Sequence, residues 1–263
     1  LWRIIKRELP KETKPKGPGR PAIPHRNVVD GLWYIMWTGC QWKALKREWF
    51  GVSSSVLHER FQTWQTEGRW EKIMRRVARY YARERRIAWQ WQSIDSKSVP
   101  APLGGEGTGR NPTDRGKSGS KIHLLVDQRG APLAVLVSGA NQHDKWSAGD
   151  LIVSIVVVRS SQQQNMCMCL DKGYDFDDVH QIVTAAGYLK HIKHRRRRNE
   201  PPEPELALED KTFPARRWVV ERTLGWLAKR RGIRTRWCKK PDNWLALLQF
   251  GCASILHDLA IFG

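Results

Sequence analysis

The sequence predicts an α/β protein with a mixed β-sheet, preceded by an all-α region of helix-turn-helix type. Three observations predict it. From Asn27 to about Arg86 apolar residues recur on a helical period, beginning with Val28, Leu32, Ile35 and Met36. After Arg86 the pattern changes to short runs in the order strand, hairpin, helix, strand, helix, strand, helix. The change of period divides the chain into a helical region, 1–88, and an α/β region, 89–263.

In chain order, "LWRIIKREL" is a short basic helix and "PKETKPKGPGRPAIP" an extended connector, its Pro and Gly opposing regular structure. "NVVDGLWYIMWTG" is a helix that ends at Thr38-Gly39, and "CQWKALKREW" a short second one. "GVSSSVLHERFQTWQTEGRWEKIMRRVARYYARERR" opens with serines suited to N-capping and continues with Val56, Phe61 and Trp64 on a helical period. In a helix-turn-helix these residues form the recognition helix, from which His58, Glu59, Arg60 and Gln62 reach into the major groove of DNA. An ordinary helical bundle with a solvated basic face fits the same pattern.

"WQSIDSKSV" is a strand, followed by a Gly-rich basic segment from Pro100 to Ser120. "KIHLLVDQRGAPLAVLVSGA" alternates and turns at Gln128-Arg129-Gly130, as a β-hairpin does. "KWSAGDLIVSIVVVRS" is a helix that runs into β-branched residues, and "NMCMCLD" a buried strand ending at Asp171. "FDDVHQIVTAAG" is a helix, "YLKHIKH" a strand and "FPARRWVVERTLGWLAKRRG" a helix.

Composition narrows the function. At 263 residues and 40% hydrophobic content the chain can bury a core without staples. Its five cysteines (Cys40, Cys167, Cys169, Cys238, Cys252) form no CxxC pair, against a disulfide framework or a structural zinc site and in favour of a reducing cytoplasm. No apolar run reaches the ~18 residues of a membrane span, so no membrane partner is expected. With 46 Lys and Arg against 26 Asp and Glu, a net charge of +20 points to a polyanion, nucleic acid first. Fourteen tryptophans favour a folded domain over a basic tail.

Against that charge the acids stand out. Asp95 lies in a strand and Asp171 at the end of one, where α/β sheets gather their chemistry. Carboxylates there can share two Mg²⁺ ions about 3.5–4 Å apart for phosphoryl transfer, and hard oxygen donors suit Mg²⁺. Between Ala215 and Lys240 the single acid is Glu221, which shares a helix face with the small residues Gly225 and Ala228. An ion pair with Arg217 explains Glu221 equally well. Arg222 and Lys229 on the same helix could face a phosphate backbone. Asp175, Asp177 and Asp178 are suited to cap the helix they precede, and Asp127 to hold the hairpin turn. His143 and Asp144 could serve either a cap or the site's surroundings.

These motifs together resemble the bacterial DDE transposases of insertion-sequence family five, within the wider insertion-element four/five superfamily. "GLWYIMWTGCQWKAL" and "GRWEKI" resemble the family's N-terminal region, "IDSKSV", "KIHLLVD" and "LDKGYD" its first two catalytic blocks, and "RRWVVERTLGWLAKRRG" the block that carries its glutamate. The resemblance implies a ribonuclease-H-like catalytic core, a triad of Asp95, Asp171 and Glu221, and two Mg²⁺ ions for which Mn²⁺ can substitute. It further implies Mg-dependent cleavage and strand transfer of double-stranded DNA at terminal inverted repeats and target sites, by a homodimer or higher assembly in the bacterial cytoplasm at the nucleoid. The superfamily signature has a tyrosine and a lysine where this chain has Pro214 and Ala228, with Lys229 one step later.

Two basic runs are expected to follow a DNA backbone: the glycine-loosened segment with Arg110, Arg115, Lys117 and Lys121, and "KHIKHRRRR", with Lys193, Arg195, Arg196, Arg197 and Arg198. Two other readings share this composition: a catalytically silent DNA-binding derivative of a transposase, and a ribonuclease-H-like nuclease that cuts without joining.

Overall fold

In a computed structural model, residues 1–12, 22–159, 166–195 and 216–263 are described. The short α1 (Trp2–Ile5) and the longer α2 (His25–Thr38) open the chain. α2 buries Val28, Leu32, Ile35 and Met36, the stripe its periodicity predicts. It stops at Gly39, whose φ of 67° is left-handed and whose N–H bonds to Ile35 O. A Cβ at Gly39 would stand 2.9 Å from Arg231, so glycine serves both the turn and the close approach.

The expected second helix is two pieces, a 3₁₀ turn at Trp42–Ala44 and α3 (Arg47–Phe50). The long basic segment also divides, into α4 (Ser54–Thr66) and α5 (Arg69–Arg85), because Gly68 between them has φ 65°. Ser53 caps α4 as expected, its hydroxyl accepting from Val56 N.

The α/β region holds β1 (Trp91–Pro100), β2 (Gly109–Arg110), β3 (Ser118–Asp127), β4 (Pro132–Gly139), β5 (Met166–Leu170) and β6 (Tyr188–Ile192). The strand order is β2–β3–β1–β5–β6, with β4 also paired to β3. β3 runs antiparallel to β1, β2 and β4, while β5 is parallel to β1 and β6 to β5, which makes the mixed sheet expected from the sequence. Asp127 holds the β3–β4 turn and more: it accepts from Arg129 N and Ala131 N at 2.9 Å, from Ala88 N at 3.2 Å and from Tyr81 Oη at 3.0 Å. It thereby ties the hairpin to α5, and burial pushes its carboxyl up from the ordinary value.

Helices α6 (Ser147–Val153) and α7 (Asp177–Ala185) pack on one face of the sheet around Ile94, Leu125, Met168 and Val179. On the other face lie α8 (Trp218–Ala228), α9 (Arg231–Arg234) and α10 (Pro241–Phe262). Their core is continuous with that of α1, α2, α4 and α5, so one hydrophobic cluster joins the helical region to the sheet.

α10, which the sequence reading did not assign, is the centre of that cluster. By length and composition it could cross a membrane, with a mean hydropathy of 1.7 over its most apolar window, which corrects the expectation that no run is long enough. Here 61% of that window is buried inside the fold, against α5 and β4. Phe250 is the pivot, with ring centroids 5.7 Å from Trp33 and 5.3 Å from Trp70. Phe250→Ala is expected to lower stability by about 3–5 kcal/mol, read as a loss of unfolding free energy in urea.

Candidate active site

β1 and β5 are neighbours in parallel register, Ser93 opposite Cys169. Two residues further along each strand line come Asp95 and Asp171, so the two aspartates emerge side by side at the same level of the sheet. The start of α8 is held above them: Ser93 Oγ donates to Arg216 O at 3.4 Å. That anchor leaves Glu221, in the first turn of α8, lining the same cleft as Asp171.

Two of the three carboxylates are joined by a cation from the chain itself. Arg217 lies 3.3 Å from Asp171 Oδ2 through Nη1 and 3.0 Å from Glu221 Oε1 through Nη2. Burial, opposed by the Ser96 N–H and Arg217 and reinforced by Glu221 and Asp171, pushes the Asp95 carboxyl up to about 6. Asp95 Oδ1 accepts from Ser96 N at 2.8 Å, and Asp171 Oδ1 from Lys172 N at 2.7 Å. Beside them opens a cleft of about 420 Å³, lined by Asp171, Glu221, Arg217, Lys172, Lys193 and Trp218 among others.

The donor set suits a hard divalent cation. Three carboxylates offer oxygen ligands, and the neighbouring Cys169 thiol, which burial pushes up to about 11, stays protonated and offers no soft thiolate. Among the described residues no three Asp, Glu, His or Cys enclose a single point as they stand. The guanidinium of Arg217 stands between two of them, marking where positive charge is accommodated.

Asp144 lies outside the triad but touches its frame. It accepts from Ser96 Oγ at 2.8 Å and Lys121 Nζ at 2.9 Å, with His123 Nδ1 4.0 Å away. Ser96 and His123 are cross-strand partners, so the network fixes β1 against β3 immediately behind Asp95. His143, by contrast, is the cap, accepting from Lys145 N. The sequence left these two roles unseparated because only the strand register reveals which one meets Ser96.

Several expected DNA contacts also have partners inside the protein. Lys121 is 13% exposed and holds Asp144 and Gln142 O. Arg222 lies between Trp218 and Trp226, 4.9 and 4.6 Å from their ring centroids, and donates to Arg129 O at 2.6 Å. Arg60 Nη1 is 3.0 Å from His25 Nδ1, and His58 packs edge-on against Trp42 at 4.8 Å. Gln62 is half-buried, and the outward stripe of α4 is Ser55, Glu59, Thr63 and Thr66, with no cation. A periodic pattern identifies the buried side of a helix but not which polar residues neighbouring helices will claim.

Other expected cations remain outward. Arg110, Arg115 and Lys117 are exposed on the β2–β3 ribbon, Lys193 and Arg195 at the end of β6, and Lys229 at the end of α8. Arg196, Arg197 and Arg198, like Pro214, lie outside the described residues. The segment from Pro100 to Ser120 is not loose, however. Arg236, 1% exposed, donates to Glu106 O, Gly107 O, Ser120 Oγ, Cys238 O and Lys239 O and pins the ribbon to the chain before α10.

The acids after Asp171 also differ from expectation. The N-cap residue of α7, Phe176, offers no side-chain cap, though Asp178 Oδ1 accepts from Val179 N at 3.0 Å in the first turn. Asp178 pairs with Lys145 at 3.0 Å, and Asp175 contacts His180 Nε2 at 2.8 Å, His194 Nδ1 at 2.9 Å and Arg195 N at 2.8 Å. Asp175 therefore anchors the start of the second basic run instead of a helix end. A basic stripe the sequence reading passed over, Lys72, Arg75, Arg79 and Arg83, lies exposed along α5; the 3, 4, 4 spacing was its signal.

Known proteins match both halves of the chain. Residues 1–74 match the family described as "Putative transposase of IS4/5 family", and residues 92–256 the one described as "Transposase DDE domain". The "Putative transposase for insertion sequence element IS402" of Burkholderia cepacia is 34% identical over 166 residues, 62% of this chain and 72% of the relative. An "Insertion element IS402 uncharacterized 16.2 kDa protein" of the same organism is 27% identical over 114 residues, 43% of this chain and 78% of the relative. Among solved structures, the "Mos1 transposase paired-end complex with left transposon end" covers 93% of this chain and 82% of its own at 11% identity. Its TM-score is 0.29.

Proposed function

We propose, from the premise that the chain belongs to the DDE transposases of the IS4/5 family, metal-dependent polynucleotidyl transferases, that it binds the terminal inverted repeats of an insertion sequence, cuts there and joins the freed end to target DNA. The observation that supports this reading is the placement of Asp95 and Asp171 on the lines of neighbouring parallel strands, with Arg217 bridging Asp171 to Glu221 and a cationic cleft lined by those two acids.

Asp95, Asp171 and Glu221 would hold two Mg²⁺ ions, or Mn²⁺ in their stead. A divalent ion bound there would supply Lewis acidity toward phosphodiester oxygens and lower the pKa of water. The chain's own residues do the rest. Asp144 and Ser96 keep β1 in register behind Asp95. Lys172 and Lys193 draw a phosphodiester into the cleft. No covalent enzyme intermediate is needed: water attacks the phosphodiester at the element end and displaces its 3′-oxygen as a hydroxyl, and that 3′-hydroxyl then attacks a target phosphodiester, displacing the target strand's own 3′-oxygen.

Affinity comes from the outward cations, Arg110, Arg115, Lys117, Lys193, Arg195 and Lys229, with Arg196–Arg198 continuing the second run. The N-terminal helices read the repeat, and two chains or more bring two ends together at the bacterial nucleoid. Exchanging Arg110, Arg115 and Lys117 together for Gln is expected to reduce the slope of log affinity against log salt by roughly 2–3, at about 0.9 per phosphate contact. An unchanged slope in filter binding would remove this ribbon from the interface.

The reading is tested with purified protein and a labelled duplex carrying the element's own terminal repeat. Cleavage at the repeat boundary that requires Mg²⁺ is the expected result. Binding without cleavage in any divalent metal would leave the silent DNA-binding reading.

A further inference from the structure

Arg217 is more than a basic residue at the edge of the site. Its backbone precedes α8, whose start is held to β1 through Ser93 and Arg216 O, so its guanidinium works from a fixed base. From there it pairs with Asp171 at 3.3 Å and Glu221 at 3.0 Å. Guanidinium is always charged and weakly hydrated, so it cannot leave by losing a proton. A divalent cation held by the same oxygens must break at least one of these pairs.

We propose that Arg217 is an internal competitor for the metal, and that cation binding at Asp171 and Glu221 turns its guanidinium outward to a DNA phosphate. The inference rests on the metal-site reading above. The exchange conserves contact: two carboxylates pass from one cation to another, and a planar fork suited to two phosphate oxygens is released beside the cleft. Metal and DNA then bind with positive coupling, each making the other's site more available. Lys193 lines the same cleft but has no ion pair with Asp171 or Glu221 among the described residues, so it carries the same charge without the competition.

Mn²⁺ binding to the full chain, followed by electron paramagnetic resonance with and without a short duplex, tests this. Without DNA, Arg217→Gln is expected to bind Mn²⁺ roughly fivefold tighter than the wild type, in the range of an exposed ion pair. Arg217→Lys, which keeps the charge but not the fork, is expected to fall between them. Lys193→Gln is expected to shift affinity less than about twofold, as a general field effect. Duplex is expected to tighten Mn²⁺ binding by the wild type and to do so less in Arg217→Gln. Equal or weaker binding by Arg217→Gln, or an equal gain in Lys193→Gln, would overturn the role of Arg217 alone. Mn²⁺ binding unaltered by Asp171→Asn would overturn the metal site itself.

Discussion

Asp95→Asn is expected to lose DNA cleavage and strand transfer by about three orders of magnitude or more while retaining repeat binding. The substitution keeps the shape of the side chain and the hydrogen bond from Ser96 N, but removes the charge next to Asp171 and Glu221. The same charge is a burden on the fold. Burial moves the Asp95 carboxyl from 3.8 to about 6, so the folded state holds its proton more tightly than the unfolded chain. A pKa raised on folding makes stability fall as pH rises between about 3.8 and 6, and the penalty is fully present above that window. Without divalent metal, Asp95→Asn is therefore expected to be more stable than the wild type at pH 7.5, by up to about 3 kcal/mol. The difference should close as pH falls below about 4. Thermal unfolding in chelator across pH measures it; a variant less stable at pH 7.5 would contradict the electrostatic account of the site.

Arg236→Met is expected to destabilise the protein by about 3–5 kcal/mol. Methionine occupies part of the space but donates nothing, so Glu106 O, Gly107 O, Cys238 O, Lys239 O and Ser120 Oγ each lose a donor. The loss also frees the ribbon that carries Arg110, Arg115 and Lys117. Trypsin is expected to cut there earlier in the variant than in the wild type, before global unfolding. Unfolding free energy in urea and the order of tryptic fragments are the two readouts; an unchanged stability would mean that Arg236 does not hold the ribbon.

Much of the α/β core was legible in the sequence because its strands are short, apolar and bounded by turn residues. β5 ends where "MCMCLD" meets its aspartate, and β3–β4 turns at the expected Gln128-Arg129-Gly130. Gly39 and Ser53 fixed helix ends by local chemistry alone. α10 was missed for the opposite reason: buried on nearly every side, it shows no clean amphipathic period to read.

At the site, the nearness of Asp95 and Asp171 follows from β1 and β5 being parallel neighbours, a register no local pattern states. Arg217 was readable as a partner of Glu221 at one helical turn. Its second contact, to Asp171, was not, because it depends on how α8 is anchored over the sheet. The same holds for Arg222 and Lys121, whose charge suggested DNA and whose contacts to Arg129 O and Asp144 no local pattern states.

Asp95, Asp171 and Glu221 are expected to act as one metal-dependent site that joins DNA as well as cutting it. The most direct test supplies a pre-cut duplex with a free 3′-hydroxyl at the terminal repeat, together with a target plasmid, to the wild type and to Asp95→Asn, Asp171→Asn and Glu221→Gln. Joined products that require Mg²⁺ or Mn²⁺ and vanish in all three variants are the predicted result. Joining that survives any one of the substitutions would contradict the shared site, and cutting of intact repeats with no joining of the pre-cut end would make the protein a nuclease.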